Sequence, residues 1–200
     1  GFWILDNITP LRQFDRPEGW PAPTSSRTDG AGAPPRRSKT ALFKPQTALR
    51  VRANLNTDTP LPPDEPGGEN PPDGAMLDYF LSKDAGDPVT IEIKDAKGRL
   101  VRKYSSADAL MQANPKRLRI PSYWIRPPQS VSTKAGMHRF LWDLHYTPVS
   151  GVEPEFPISA TYRNTAPEAT SPWVEPGDHR VTLHCDGKGC SQPFHVGIDP

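Results

Sequence analysis

Long apolar runs are missing from these 200 residues; none approaches the roughly 20 consecutive apolar positions of a membrane-spanning helix. A large charge of either sign is missing too. Lys and Arg number 24 against 23 Asp and Glu, a net charge of +1. That balance leaves no broad electrostatic footprint for nucleic acid or for an anionic membrane. The GxGxxG, Walker A, HExxH and EF-hand patterns do not occur, and no serine falls in a G-x-S-x-G elbow. Cysteine is limited to Cys185 and Cys190, and the five histidines are scattered. No signal peptide is visible, yet the chain opens GFWILD, without an initiator Met and within a strand-like pattern. It therefore reads as a fragment, and the export of its parent is left open.

Proline is what the chain has in excess: 26 residues, beside 15 glycines, with 34% hydrophobic residues and a mean hydropathy of −0.65. Proline removes a donor from any ladder it enters, so this many prolines belong in loops and linkers. The packed part should amount to about 100–110 residues, the size of one sandwich domain.

Phe2–Leu5 is a short apolar run leading into Ile8-Thr9-Pro10-Leu11. Four apolar residues cannot form a domain, and the run resembles the last strand of an upstream unit. Residues 15–40 contain PAPTSS, GAGAPP and RRSK, too little apolar surface to offset ordering entropy, and are expected to be an extended or disordered linker. Arg36, Arg37 and Lys39 form a charge cluster there, which is ordinarily solvated. Leu49–Ala53 is a first strand, held to an edge or an incoming turn by Pro45. Ala75–Leu81 (AMLDYFL) is a second, with Met76, Asp78 and Phe80 opposing Leu77, Tyr79 and Leu81.

Pro88–Tyr104 predicts a hairpin: Val89, Ile91 and Ile93 alternate with polar residues up to the turn Asp95-Ala96-Lys97-Gly98, and Leu100, Arg102 and Tyr104 alternate with Val101 and Lys103 on the return. Ser106–Ala113 predicts one or two helical turns, capped by Ser106 and stopped before Pro115. Loop insertions follow near 107–134 and 147–172. Between them Ala135–Tyr146 (AGMHRFLWDLHY) is the most regular alternation in the chain. His138, Phe140, Trp142, Leu144 and Tyr146 share one parity. It is expected to be the central strand of a small β-sandwich, with Phe140, Trp142 and Leu144 packed on Val89, Ile91, Ile93, Val181 and Leu183.

A second hairpin runs His179–Cys185 and back through Cys190–Ile198. Its turn sets the fate of the cysteines. A type II′ turn at Gly187-Lys188 pairs Cys185 with Cys190, at a spacing suited to a cross-strand disulfide. A type I′ turn at Asp186-Gly187 instead places Cys190 opposite Leu183, and the bond fails. Both cysteines face inward in either register. A metal site from Cys185, Cys190 and His184 or His195 lacks the spacing of a zinc module.

Little else carries chemistry. His138 and His145 fall on opposite strand faces and cannot share a metal. Asp143 has no second carboxylate spaced with it, and an outward strand residue bonding a loop backbone is the plainer reading. Trp20, Trp124 and Trp173 lie in loops. Trp124, Trp173 and Tyr123 could stack on sugars, although anchoring a loop is the commoner fate of a tryptophan. No catalytic residue, cofactor or metal is expected.

Four stretches together carry a resemblance: GFWILDNITPLRQ (1–13), NPPDGAMLDYFL with VTIEIKDAKGRLVRKYSS (70–81 and 89–106), AGMHRFLWDLHY (135–146) and EPGDHRVTLHCDGKGCSQPFHVGIDP (175–200). They resemble the C-terminal region of large exported bacterial proteins with BNR/Asp-box repeats, often labelled sortilin-like or glycosyl hydrolase, in which a β-propeller precedes an immunoglobulin-like sandwich. The sandwich part is also similar to the Ig-like domain of the flagellar hook-capping protein.

The resemblance implies that 1–14 is the last propeller strand and its exit, and that 41–200 is an all-β, Ig-like antiparallel sandwich with long Pro-rich loops. It implies an extracellular or periplasmic setting. The partners would be the upstream propeller and a glycan or another envelope protein, with no nucleic acid and no membrane span. The expected role is a non-catalytic accessory module for domain docking or for protein and envelope interaction. The alternative is a carbohydrate-binding module or subsite contributor of a propeller glycoside hydrolase. The Asp-box S-x-D-x-G-x-x-W is absent, so no hydrolase residue carries over to this chain.

Overall fold

The computed structural model describes residues 7–14, 39–51, 72–158, 160 and 162–199. The strand expected at Phe2–Leu5 lies outside them, as do residues 15–38 with Trp20, Arg36 and Arg37. The elements are helix α1 (Thr9–Phe14) and strands β1 (Ala41–Leu42), β2 (Ala48–Arg50), β3 (Ala75–Leu81), β4 (Thr90–Asp95), β5 (Leu100–Ser105), β6 (Gly136–Trp142), β7 (Gly177–Cys185) and β8 (Lys188–Ile198), with a 3-10 turn at Ser122–Trp124. The fold is all-β. One sheet has the order β1-β3-β6 and the other β2-β8-β7-β4-β5. All pairings are antiparallel except β2 on β8, where Ala48, Leu49 and Arg50 run parallel to Val196, Gly197 and Ile198.

Two-residue alternation decides what the sheets bury. Leu77, Tyr79 and Leu81 of β3 and Phe140 and Trp142 of β6 meet Ile91 and Ile93 of β4, Val181 and Leu183 of β7, and Phe194 and Val196 of β8 in one core, which Val89 and Leu144 complete. The Trp142 indole reaches across the core to Phe194 and His179, with ring centres 6.0 and 5.9 Å away. Phe140 does the same to Tyr104 at 4.6 Å. Such tilted and edge-on contacts suit the aromatic quadrupole. At the start of β3, Gly74 has φ +104°, and a Cβ there would lie 2.1 Å from the Trp142 carbonyl oxygen, so only glycine lets β3 begin against the end of β6.

Several expectations are corrected. Strand β6 is not central: among the described residues it pairs with β3 alone and forms a sheet edge. At Leu141 the place of a further strand is taken by the Gln129 amide, which accepts from the Leu141 N–H at 2.9 Å and donates to its carbonyl at 3.3 Å. The strand also stops at Trp142. Leu144 adopts φ 58°, and His145 turns inward beside it, so parity fails over the last residues of that stretch.

Ser106–Ala113 is not helical. Ser105 Oγ accepts from Ala107 N–H, Asp108 accepts from Ser105 N–H, and Ser106 Oγ accepts from Val89 N–H. These side-chain oxygens give the backbone a turn in place of a helix. On β5 the register shifts at Ile93/Lys94, leaving Val101 as an extra residue that points inward while Leu100 is exposed. The strand expected at Leu49–Ala53 runs Ala48–Arg50, with Arg52 and Ala53 outside the described residues, and β1 precedes it.

Trp142 is fully buried. Truncating a core aromatic of this kind costs about 3–5 kcal/mol. Trp142→Ala should lower unfolding free energy by that amount in urea titration; a near-neutral result would contradict the packing described.

Candidate functional site

The second hairpin takes the type I′ register. Asp186 and Gly187 have φ 47° and 71°, Cys185 pairs with Lys188 and Cys190 with Leu183. The cross-strand disulfide candidate is thereby corrected: both cysteines are free, with Cys185 buried and Cys190 half-buried against the core. Asp186 holds this turn in place, accepting from the Gly86 and Asp87 backbone N–H groups at 2.9 and 3.3 Å. Those two bonds, with Lys83 nearby, keep its carboxyl below the usual aspartate range. Burial, then the charge of Asp186, pushes the Cys185 thiol up. A thiol so raised is a core residue rather than a nucleophile.

Asp143 sits just past β6 and accepts from the His145 N–H at 3.2 Å. His145 Nδ1 lies 2.7 Å from the Asp143 carbonyl oxygen, and its ring stacks on Trp173 at 4.2 Å. The Arg50 guanidinium covers Trp173 at 5.4 Å and bonds the neighbouring Val174 carbonyl. Trp173 is thus a loop anchor fastened to β2. His138 is elsewhere, against Tyr79 on β3 with ring centres 5.1 Å apart. Burial, aided by the charge of Asp143, drives the Tyr104 hydroxyl well above the normal phenol range, so it stays neutral. Among the described residues no group of three or more His, Cys, Asp or Glu is placed to hold a metal ion, and no helix is long and apolar enough to cross a membrane.

The two long loops are tied to each other rather than draped separately. Thr165 N–H donates to the Trp124 carbonyl at 3.1 Å and Arg126 N–H to the Thr165 carbonyl at 2.9 Å, a parallel bridge centred on Ile125 and Thr165. Arg126 Nε adds a 2.7 Å bond to Asn164 Oδ1. Nearby in sequence, Arg117 joins Glu153 at 2.7 Å and Glu155 at 3.1 Å, beside a cleft of about 200 Å³ between residues 111–118 and 152–156.

At the bridge three aromatic side chains gather. Tyr123 lies 6.3 Å from Trp124 and 6.4 Å from Tyr162, ring centre to ring centre. Tyr123 is 63% exposed and Tyr162 38%, while Trp124 is half-buried. Of the expected sugar-stacking residues, the structure therefore brings Tyr123 and Trp124 together and leaves Trp173 in another place. Tyr162, Arg126 and Asn164 were not foreseen. Their only sequence signal is an aromatic and two polar residues inside a Pro-rich loop, which has no periodicity to read.

A second cluster sits at the N-terminal end of the described chain. Just ahead of helix α1, Asn7 Oδ1 accepts from Thr9 N–H at 2.9 Å in an Asx turn. The same oxygen accepts from Gln46 Nε2 at 2.9 Å. Gln13 then mimics a strand neighbour: its Oε1 accepts from Lys44 N–H at 2.7 Å and its Nε2 donates to the Lys44 carbonyl at 2.9 Å. Ile8, just before the helix, and Leu11 on it remain exposed.

Comparison of the chain with family models, curated proteins and solved structures gives no match.

Free cysteines make a direct prediction. Unfolded without reductant, the protein should take up two alkyl groups, and its intact mass should not change on reduction. In the folded state the half-buried Cys190 should label faster than Cys185. A gain of two protons on reduction would restore the type II′ register.

Proposed function

We propose that this chain is a non-catalytic accessory β-sandwich of immunoglobulin-like type, built to dock the unit that precedes it in an exported propeller protein. The observation that carries the reading is the attachment of α1. Gln13 satisfies both backbone groups of Lys44 across 31 positions of sequence, and Asn7 shares its oxygen with Gln46. Backbone mimicry of this kind fixes the approach of a preceding segment, since each bond to an otherwise unpaired group is worth about 1 kcal/mol and two on one side chain fix orientation. Ile8, just before the helix, and Leu11 on it are exposed and supply apolar surface for the neighbour.

Strand connectivity supports the immunoglobulin-like part. The orders β1-β3-β6 and β8-β7-β4-β5 match the A-B-E and G-F-C-C′ arrangements of variable-type domains, with β2 added on the outside of β8. The position of Cys185 and Cys190 within one hairpin differs from the inter-sheet bridge of antibody domains. A secreted setting and the propeller neighbour rest on the resemblance of the four stretches alone.

A protease site inserted between residues 25 and 26 tests the docking. After cleavage, the N-terminal piece should co-elute with the sandwich on gel filtration, and Gln13→Ala combined with Asn7→Ala should release it. Dissociation of the piece from the unsubstituted protein would defeat the proposal.

A further inference from the structure

The aromatic cluster at the bridge between the long loops is remote in role from the docking helix, and its surroundings carry a charge signature. Of the acidic residues of this region, Glu153 and Glu155 are engaged by Arg117, and Glu168 is joined to Glu155 through its backbone N–H. Arg126 and Arg163 flank the rings in sequence on both loops, and neither has a described carboxylate within salt-bridge distance. Arg126 spends its Nε on Asn164, which orients the guanidinium and leaves both terminal nitrogens as donors. Arg163 is exposed and held in the left-handed region, φ 54°, within the turn that presents Tyr162.

Aromatic rings, with unspent guanidinium groups carried close in sequence on the same two loops, define a narrow class of ligand. A ring face carries partial negative charge and attracts the weakly positive axial C–H groups of a pyranose, burying apolar surface without demanding a buried hydrogen bond. Tyrosines do this at small entropic cost because they have two side-chain torsions. A guanidinium fork matches a carboxylate bidentately. The double backbone bridge holds the two loops before any ligand arrives, which reduces the ordering that binding would otherwise require.

We infer that Tyr123, Trp124 and Tyr162, with Arg126 and Arg163, form a binding platform for a carboxylated glycan, a chain of uronate-bearing pyranoses. Single-stranded nucleic acid also combines stacking with arginine. It would require a continuous basic track to follow its phosphates; the net charge is only +1, and Arg117, on the same loop as Lys116 and Arg119, is already paired with Glu153 and Glu155.

Affinity electrophoresis and calorimetry of the full chain against polygalacturonate, a neutral β-glucan and an oligothymidylate decide the matter. Polygalacturonate should bind, and the neutral glucan about tenfold or more weaker. Tyr123→Ala should weaken uronate binding by about tenfold, the usual scale for losing one stacking ring. Arg126→Gln should weaken the uronate selectively, and raised salt should do the same. Melting temperatures should stay unchanged, because Tyr123 is exposed and Arg126 lies outside the core cluster. Failure to bind the polyuronate would overturn the assignment, as would equal affinity for the neutral glucan or tighter binding of the oligonucleotide. Indifference of uronate binding to both substitutions would also overturn it. None of these outcomes bears on whether α1 is docked at Lys44.

Discussion

Both sheets close on the indole of Trp142. Its ring fills the space between the two layers, and its N–H must find an acceptor because the side chain is fully buried. It finds the His145 carbonyl at 3.1 Å, three residues along the same chain. That bond accompanies the departure of the chain from the sheet: β6 ends at Trp142, Leu144 enters the left-handed region and is fully buried, and His145 folds inward. A bulky residue at positive φ is held only where packing over-determines it. From there Val174 N–H reaches the Leu144 carbonyl, Tyr146 N–H the Pro172 carbonyl, and Trp173 stacks on His145. One satisfied donor in the core thus coincides with the point from which the second long loop leaves and to which it returns.

The periphery is fastened by side chains that imitate backbone. Gln129 completes the edge of β6 at Leu141, and Gln13 completes the loop at Lys44. Tyr79 works in the same way from inside, its hydroxyl donating to the Ser132 carbonyl at 3.1 Å and accepting from the Ser132 N–H at 2.7 Å. On the outer face of the smaller sheet, buried Asp78 meets Arg139 in a two-pronged ion pair with bonds of 2.8 and 3.2 Å. A chain with 26 prolines cannot extend its ladders far, so its loops are secured by amides, a phenol and a guanidinium instead.

What was legible in the sequence follows from the range of the physics involved. The faces of β3, β4 and β7 are local alternation, and Ile91, Ile93, Val181 and Leu183 lie in the core. Alternation does not count neighbours, so a strand as regular as β6 could be read as central when it is an edge. The extra residue Val101 depends on where β4 and β5 slip, which neither strand states alone. The hairpin turn offered two registers, and Asp186 is fixed by backbone groups of Gly86 and Asp87, about a hundred positions away, so its local residues could not choose between them. The same limit hid Tyr162 and Asn164: their neighbours come from the other loop.

The two-sheet scaffold holds a docked N-terminal helix and a pair of loops braced on each other. Native-state hydrogen exchange at single-residue resolution tests that view most directly. The Lys44, Arg126 and Thr165 amides, none of them inside a strand, should exchange far more slowly than in a free chain, because each donates to a fixed partner. Exchange at free-chain rates for these three, while β4 and β7 stay protected, would mean that helix and loops are not held by the scaffold, and would contradict the account.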